Sequence, residues 1–256
     1  MVIDLIDKSI QSQTLASSIL ICGNSSIKKR EIISYIANKL SREVQYIDCK
    51  MTSIRNLLDT IQTISTDMIY VLTEIDEAQF RVKYSILKIL EEPPANVILI
   101  LTCSNLEGLY PPILSRCQVY YQDPISKEEL KSYTDKDTIL DVCETPDEIL
   151  TMETYNIQEF LDYVQLVIDN ITKTSISNIF KIGQKLQIKK DEEGYNLALF
   201  LKIFSRELMK HPSKDNLQKV QITSKWLEVL SYPSVNRQMV LDGWLLEISE
   251  QESKWN

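Results

Sequence analysis

The octapeptide Gly23-Asn24-Ser25-Ser26-Ile27-Lys28-Lys29-Arg30 follows a short apolar run and opens a helical pattern. A loop that cradles phosphates, of the form G-x-x-x-x-G-K-[ST], belongs in that setting. Gly23 and Lys29 keep its register, but Lys28 stands where the second glycine belongs and Arg30 replaces the Ser or Thr. A side chain at the glycine position obstructs the turn whose N–H groups face phosphate. Arginine supplies no hydroxyl for Mg²⁺. The segment therefore reads as a decayed phosphate loop whose three basic side chains hold an anion at most loosely. On these residues alone, a basic first turn of a surface helix is an equal reading.

A second candidate is Asp76-Glu77, which has the look of a metal-holding Asp followed by a water-orienting Glu. Register argues against it. The preceding apolar run ends at Leu72, so Thr73 and Glu74 stand at its tip. Asp76 and Glu77 then read as solvated acids at a positive helix start. Other chemistry is sparse. His211 is the single histidine and precedes Pro212, so a histidine triad or a histidine-rich metal site is excluded. Trp226, Trp244 and Trp255 read as core or interface packing rather than base stacking, and Glu91-Glu92 and Glu192-Glu193 as solvated faces.

The elements that must position these groups change character along the chain. Short apolar runs lie at Ser18-Cys22, Val44-Asp48, Met68-Leu72, Val97-Thr102 and Gln118-Tyr121. Helix-like stretches at Lys29-Leu40, Ser53-Ile64 and Phe80-Glu91 separate them. Unalternating runs between helices predict a parallel sheet covered on both faces. After Pro124 only helical patterns follow, at Ser126-Tyr133, Asn156-Asn170, Ser175-Leu186, Tyr195-Met209, Lys214-Leu230 and Ser234-Ser249.

Composition narrows the function. With 44% hydrophobic and 25% charged residues the chain reads as an ordinary globular protein. Only 5 glycines are few for a nucleotide-binding enzyme, and a net charge of −8 argues against a free-standing nucleic-acid binder. The 5 cysteines never form C-x-x-C, which argues against a zinc ribbon or disulfide framework and for a reducing cytosol. No signal peptide and no membrane-length apolar run is read.

Two longer stretches carry a resemblance. Tyr70-Val71-Leu72-Thr73-Glu74-Ile75-Asp76, followed by Ser85-Ile86-Leu87-Lys88-Ile89-Leu90-Glu91-Glu92-Pro93-Pro94, resembles the core of bacterial clamp-loader subunits of the AAA+ class. Counting back without gaps sets Thr73 at that family's metal-binding Asp, and Asp76 at the last acid of its box. Leu109-Tyr110-Pro111-Pro112-Ile113-Leu114-Ser115-Arg116-Cys117-Gln118 is similar to the family's L-L-P-T-I-x-S-R-C-Q segment. The likeness covers roughly 15–135 and returns weakly at Asn236-Asp242. It departs in lacking the zinc-binding cysteine module, with only Cys49 nearby, and in the lid segment after Pro124.

The resemblance, which is to the delta-prime type, implies an α/β AAA+ core over 1–124, a small helical lid over 125–167 and an all-α collar over 168–256. It implies that Arg116, with Ser115 beside it, reaches the γ-phosphate of ATP bound by a neighbouring subunit. Ser104 or Asn105 would be the sensor position. Gly23, Lys29, Thr73 and Glu74 would be remnants of a nucleotide site that binds no cofactor, and no zinc is expected. The implied partners are clamp-loader ATPase subunits, a delta-type subunit, the sliding clamp and, through the complex, primed DNA in the cytoplasm of a bacterium or a phage host; no membrane is implied. Rival readings are a divergent ATPase working through Lys29 and Glu74, a scaffold without the finger role, and a delta-type clamp-opening subunit.

Overall fold

The structure is a computed structural model that describes residues 1–49, 67–171, 181, 183–187, 194–232 and 235–250. The helix expected over 53–64, most of that expected over 175–186, Glu192, Glu193 and Trp255 lie outside the described residues. The chain divides into two compact units, Met1–Ser126 with Thr145–Asp147, and Lys127–Glu144 with Glu148–Asn256. The segments read as lid and collar supply the second unit, apart from residues 125–126 and Thr145–Asp147.

In chain order the first unit carries α1 (Val2–Gln11), β1 (Ser18–Cys22), α2 (Ser26–Leu40), β2 (Glu43–Asp48) and β3 (Met68–Thr73). A 3-10 turn (Ile75–Glu77), α3 (Phe80–Glu91), β4 (Ile98–Cys103), a second 3-10 turn (Leu106–Gly108), α4 (Pro111–Leu114) and β5 (Gln118–Tyr121) follow. The strands form one parallel sheet in the order β2-β3-β4-β1-β5. Each expected run became a strand; β1, β3 and β4 are buried along nearly their whole length, as apolar runs covered on both faces are, while β2 and β5 form the more exposed edges.

The two faces divide by residue parity. Ile19, Ile21, Ile69, Val71, Ile98 and Ile100 point to one core, which Val2 and Ile6 of α1 and Ile32, Ile33 and Ile36 of α2 complete. Leu20, Tyr70, Leu72, Leu99, Leu101 and Cys103 point to the other, filled by Val82, Ile86, Ile89 and Leu90 of α3. Burying one such side chain contributes roughly 1.5–3 kcal/mol. α1 was not expected from the sequence; its Val2 N–H donates to Asp123 Oδ2 at 2.8 Å and ties it to the end of β5. α3 runs into Pro93-Pro94, which cannot continue a helix.

The second unit is helical. It holds α5 (Lys127–Leu130), α6 (Asp137–Leu140), α7 (Pro146–Glu153, whose first two residues group with the first unit), α8 (Ile157–Asn170), α9 (Leu197–Lys210), α10 (Lys214–Ser231) and α11 (Arg237–Ser249). Asn156, Asn196, Ser213 and Asn236 cap α8 to α11 through their side chains. Trp244 is fully buried, with Phe204 and Phe200 edge-on at 5.1 and 5.8 Å, and its indole N–H donates to Thr223 Oγ1 at 3.1 Å. Gly243 lies beneath Trp226, where an added Cβ would come within 2.2 Å of the indole. Both described tryptophans thus serve packing. One expectation is corrected: strands do follow Asp123, as the parallel pair β6 (Leu186–Gln187) and β7 (Tyr195–Asn196). Two residues each leave no apolar run to read.

Candidate functional site

Gly23 to Arg30 leaves the C-terminal end of β1 and enters α2, the strand–loop–helix setting that the sequence predicts. Ser25 caps α2, its Oγ accepting from Lys28 N–H at 3.2 Å. The loop is closed by its own chain. Gly23 N–H donates to Cys103 O at 3.0 Å, and Ser25 N–H donates to Gln122 Oε1 at 3.1 Å. Ser25 Oγ also donates to Asp147 Oδ2 at 2.5 Å. The Gln122 side chain lies so close over Gly23 that an added Cβ would meet Oε1 at 2.3 Å. Glycine is needed here to admit that glutamine. Gln122 and Asp147 both escaped sequence reasoning, because neither belongs to a motif.

The basic side chains expected to hold an anion are each engaged. Lys28 pairs with Glu31 at 2.5 Å, and the Arg30 guanidinium lies 5.5 Å from the Tyr46 ring centre. Lys29 is buried, 2% exposed, and its ammonium donates to Glu74 Oε1 at 3.0 Å and Cys103 O at 3.2 Å. A buried ammonium held by a carboxylate and a carbonyl has its charge compensated inside the protein.

Thr73 and Glu74 stand at the tip of β3, as the register argument required. Thr73 Oγ1 donates to Ile47 O at 3.3 Å, so a hydroxyl turned into the sheet occupies the position the resemblance gives to a metal-binding carboxylate. Glu74 takes the left-handed conformation, φ 48° and ψ 52°. Such backbone costs of order 1 kcal/mol and persists where surroundings enforce it. Here Glu74 N–H donates to Thr102 Oγ1 at 3.1 Å, and Oε2 accepts from Ser104 Oγ at 3.2 Å. Lys29, Glu74 and Ser104 thus form one network across the ends of β1, β3 and β4.

Asp76 corrects the sequence reading. It is not a solvated acid but is 5% exposed, and Oδ2 accepts from Ser104 N–H at 2.9 Å and Asn105 N–H at 3.2 Å. Its backbone carbonyl accepts from the Lys83 ammonium at 2.6 Å. Burial lowers the Lys83 pKa, and the Asp76 charge opposes that shift. Asp76 therefore fastens the tip of β4, the expected sensor position, while Glu77 is exposed as expected. A helix-start acid and a buried clamp have the same sequence signal, which is why the distinction was missed.

Two thiols sit under this network. Cys22 and Cys103 are in-register neighbours on β1 and β4. A hydrogen bond from the Cys103 thiol, and secondarily the Lys29 charge, lower the Cys22 pKa to about 7 against the effect of burial. Cys103 is pushed up correspondingly, and burial raises Cys49, Cys117 and Cys143 to about 12. All five cysteines are free thiols.

Arg116 lies elsewhere. It follows α4 and precedes β5, on an exposed turn where Ser115 closes α4. Its Nη1 donates to Pro112 O at 2.9 Å and Ser115 Oγ at 3.3 Å, and Nη2 donates to Glu91 Oε1 at 2.7 Å. β1 and β5 are adjacent and parallel, so the turn before β5 and the loop after β1 are at opposite ends of the sheet. The register Ile19↔Gln118 sets Arg116 level with Ser17, six positions before Gly23. At the strand rise that separation is about 20 Å, beyond the reach of any side chain. The sequence-predicted residues therefore form two groups: Gly23, Lys29, Thr73 and Glu74 at one end, Ser115 and Arg116 at the other.

Among the described residues no cluster of His, Cys, Asp or Glu suits a metal ion, and no helix is long and apolar enough to cross a membrane.

Comparison with known proteins gives the fold its relatives. Residues 41–126 match the family model described as DNA polymerase III, delta subunit. The chain is 34% identical over 84 residues to DNA polymerase III subunit gamma of Buchnera aphidicola subsp. Baizongia pistaciae (strain Bp), a match covering 32% of this chain and 23% of that protein. Among solved structures, a DNA polymerase III gamma subunit-related protein of Thermotoga maritima aligns with TM-score 0.51 and 15% identity over 96% of this chain and 99% of that one. A point variant of Thermotoga maritima RuvB aligns with TM-score 0.50 and 14% identity, over 98% and 85%. The sheet order and the strand–loop–helix at β1 give the first unit an AAA+-like fold, and residues 41–126 are similar to subunits of DNA polymerase III.

Proposed function

We propose that this chain is a delta-prime-like subunit of a DNA polymerase III clamp loader, which hydrolyses no ATP itself and lends Arg116 to ATP held by a neighbouring subunit. The observation that carries this reading is the position of Arg116. It is exposed, held by three bonds, and about 20 Å from its own loop by strand rise, so any nucleotide it touches belongs to another chain. A guanidinium keeps its charge and forks onto phosphate oxygens. Placed at a transferring phosphoryl, it stabilises the charge that spreads over the transition state.

The loop end supports the inert half of the reading. A phosphate arriving there would need the Ser25 amide, the Lys29 ammonium and a metal-binding carboxylate at position 73. The amide is taken by Gln122, the ammonium by Glu74, and position 73 is a threonine. These residues do not fit a Mg²⁺–nucleotide. In this reading the partners are ATPase subunits and a delta-type subunit in one ring, with the sliding clamp and primed DNA engaged by the assembly in the cytoplasm.

One observation favours a second reading, a divergent ATPase. Lys29 and Glu74, the residues such an enzyme would use, lie 3.0 Å apart. The deciding experiment measures ATP turnover by the chain alone and after mixing with clamp-loader ATPase subunits, clamp and primed DNA, for wild type and Arg116→Ala. An inert chain that stimulates the mixture only when Arg116 is present supports the proposal. Turnover or Mg²⁺-dependent ATP binding by the isolated chain supports the second reading instead. Equal stimulation by wild type and variant leaves a scaffold that has lost the finger role.

A further inference from the structure

Resting on the finger reading, we infer that Glu91 is the positioning residue for Arg116. The two residues are 25 positions apart and meet at 2.7 Å, Glu91 Oε1 accepting from Arg116 Nη2. Nothing in the local structure of α3 favours a carboxylate at position 91. It occupies the last turn of a helix, where the dipole is negative and an acid is unfavourable. Pro93 and Pro94 stop the helix just beyond, which fixes where the carboxylate stands. The neighbouring Glu92 has the same charge and makes no such bond to Arg116 among the described residues, so the contact belongs to position 91.

The three bonds on the guanidinium have a directional consequence. Pro112 O and Ser115 Oγ take both hydrogens of Nη1, and Glu91 takes one of Nη2. A guanidinium has five N–H groups. Two remain, on Nε and Nη2, for phosphate oxygens. An unheld arginine would lose its rotamer freedom on meeting the neighbour's nucleotide. Glu91 removes that loss beforehand and leaves the fork open, which is preorganisation. Both side chains are partly exposed, 33% for Arg116 and 51% for Glu91, so the pair itself is worth little to folding. Its effect belongs to turnover, not stability.

The test uses the full complex with its ATPase subunits, clamp and primed DNA, with this chain as wild type, Glu91→Ala, Glu91→Gln, Arg116→Ala or the double alanine variant. Glu91→Ala should lower kcat by about two- to fivefold, the factor a partly exposed ion pair can carry, with KM for ATP and the chain's melting temperature unchanged. Glu91→Gln, whose amide oxygen still accepts from Nη2, should recover most of the loss. The double variant should be no slower than Arg116→Ala alone. If Arg116→Ala slows the complex while Glu91→Ala leaves kcat unchanged or raises it, the positioning role is wrong and the finger reading stands. If kcat and melting temperature fall together in Glu91→Ala without rescue by Glu91→Gln, Glu91 is structural only. If Arg116→Ala has no effect, the finger reading fails and this inference fails with it.

Discussion

The two ends of the first unit's sheet treat charge in opposite ways. At the C-terminal end of β1, Lys29 is buried and its charge answered by Glu74, and Asp76 is buried against two backbone amides. At the other end Arg116 is kept at the surface, its guanidinium steadied but only partly covered. Inward-facing charge at the first end serves the fold, because an unpaired buried ion is costly. Surface charge at the second end contributes little to the fold and is available to a partner. The comparison separates what this chain keeps for itself from what it offers.

The sharpest way to break that contrast is at Arg116. Arg116→Ala should lower turnover at the neighbouring site it faces by about 10³-fold or more, with the denaturation midpoint of the isolated chain unmoved. Single-turnover ATP hydrolysis in the assembled complex reads the first, and equilibrium unfolding the second. A stability loss without a turnover loss would reverse the assignment of the two ends.

Asp76→Ala should do the opposite. It leaves the amides of Ser104 and Asn105 without their acceptor and should destabilise the chain by about 2–3 kcal/mol, measured by urea denaturation. Lys29→Met should cost about 1–3 kcal/mol, less than breaking a fully buried pair, because Glu74 is 20% exposed and can turn to water. Its effect on the complex's turnover should be absent; a loss there would favour the divergent ATPase.

The smallest effect probes the loop end without disturbing the fold. Cys22, with its pKa near 7, should react with iodoacetamide at a rate that falls as pH drops through 7 and levels off above it, because only the thiolate attacks. Cys49, Cys117 and Cys143, pushed up to about 12, should stay inert over the same range. Cys103→Ala should move the Cys22 midpoint upward, since the thiol hydrogen bond is its main cause.

The strands were legible because short, unalternating runs between helices leave a parallel sheet as the economical burial, and β1, β3 and β4 are buried along nearly their whole length. The end of the apolar run at Leu72 placed Thr73 and Glu74 at the tip of β3, where they are. The place of Arg116 just before β5 was legible from the run at Gln118-Tyr121, but not its contact with Glu91, since the pairing depends on where α3 and α4 end. Asp76 was misjudged because burial at a strand tip depends on the neighbouring strands, not on nearby sequence. Gln122 and Asp147 were invisible for the same reason: each reaches the loop from about 100 residues away or more, and no spacing rule connects them to Gly23 or Ser25.

Gly243 and Trp226 set a rule for how this sequence can change over time. With the indole 2.2 Å from where a Cβ would stand, no larger residue can enter position 243 while Trp226 keeps its place. Trp226 is also held by its N–H donation to Glu247 Oε2 at 2.9 Å, so it cannot readily swing aside. The tryptophan must be replaced first and the glycine second. Across descendants of this chain, position 243 is therefore free to vary only in lineages that have already lost the ring, and the two positions should covary in that order.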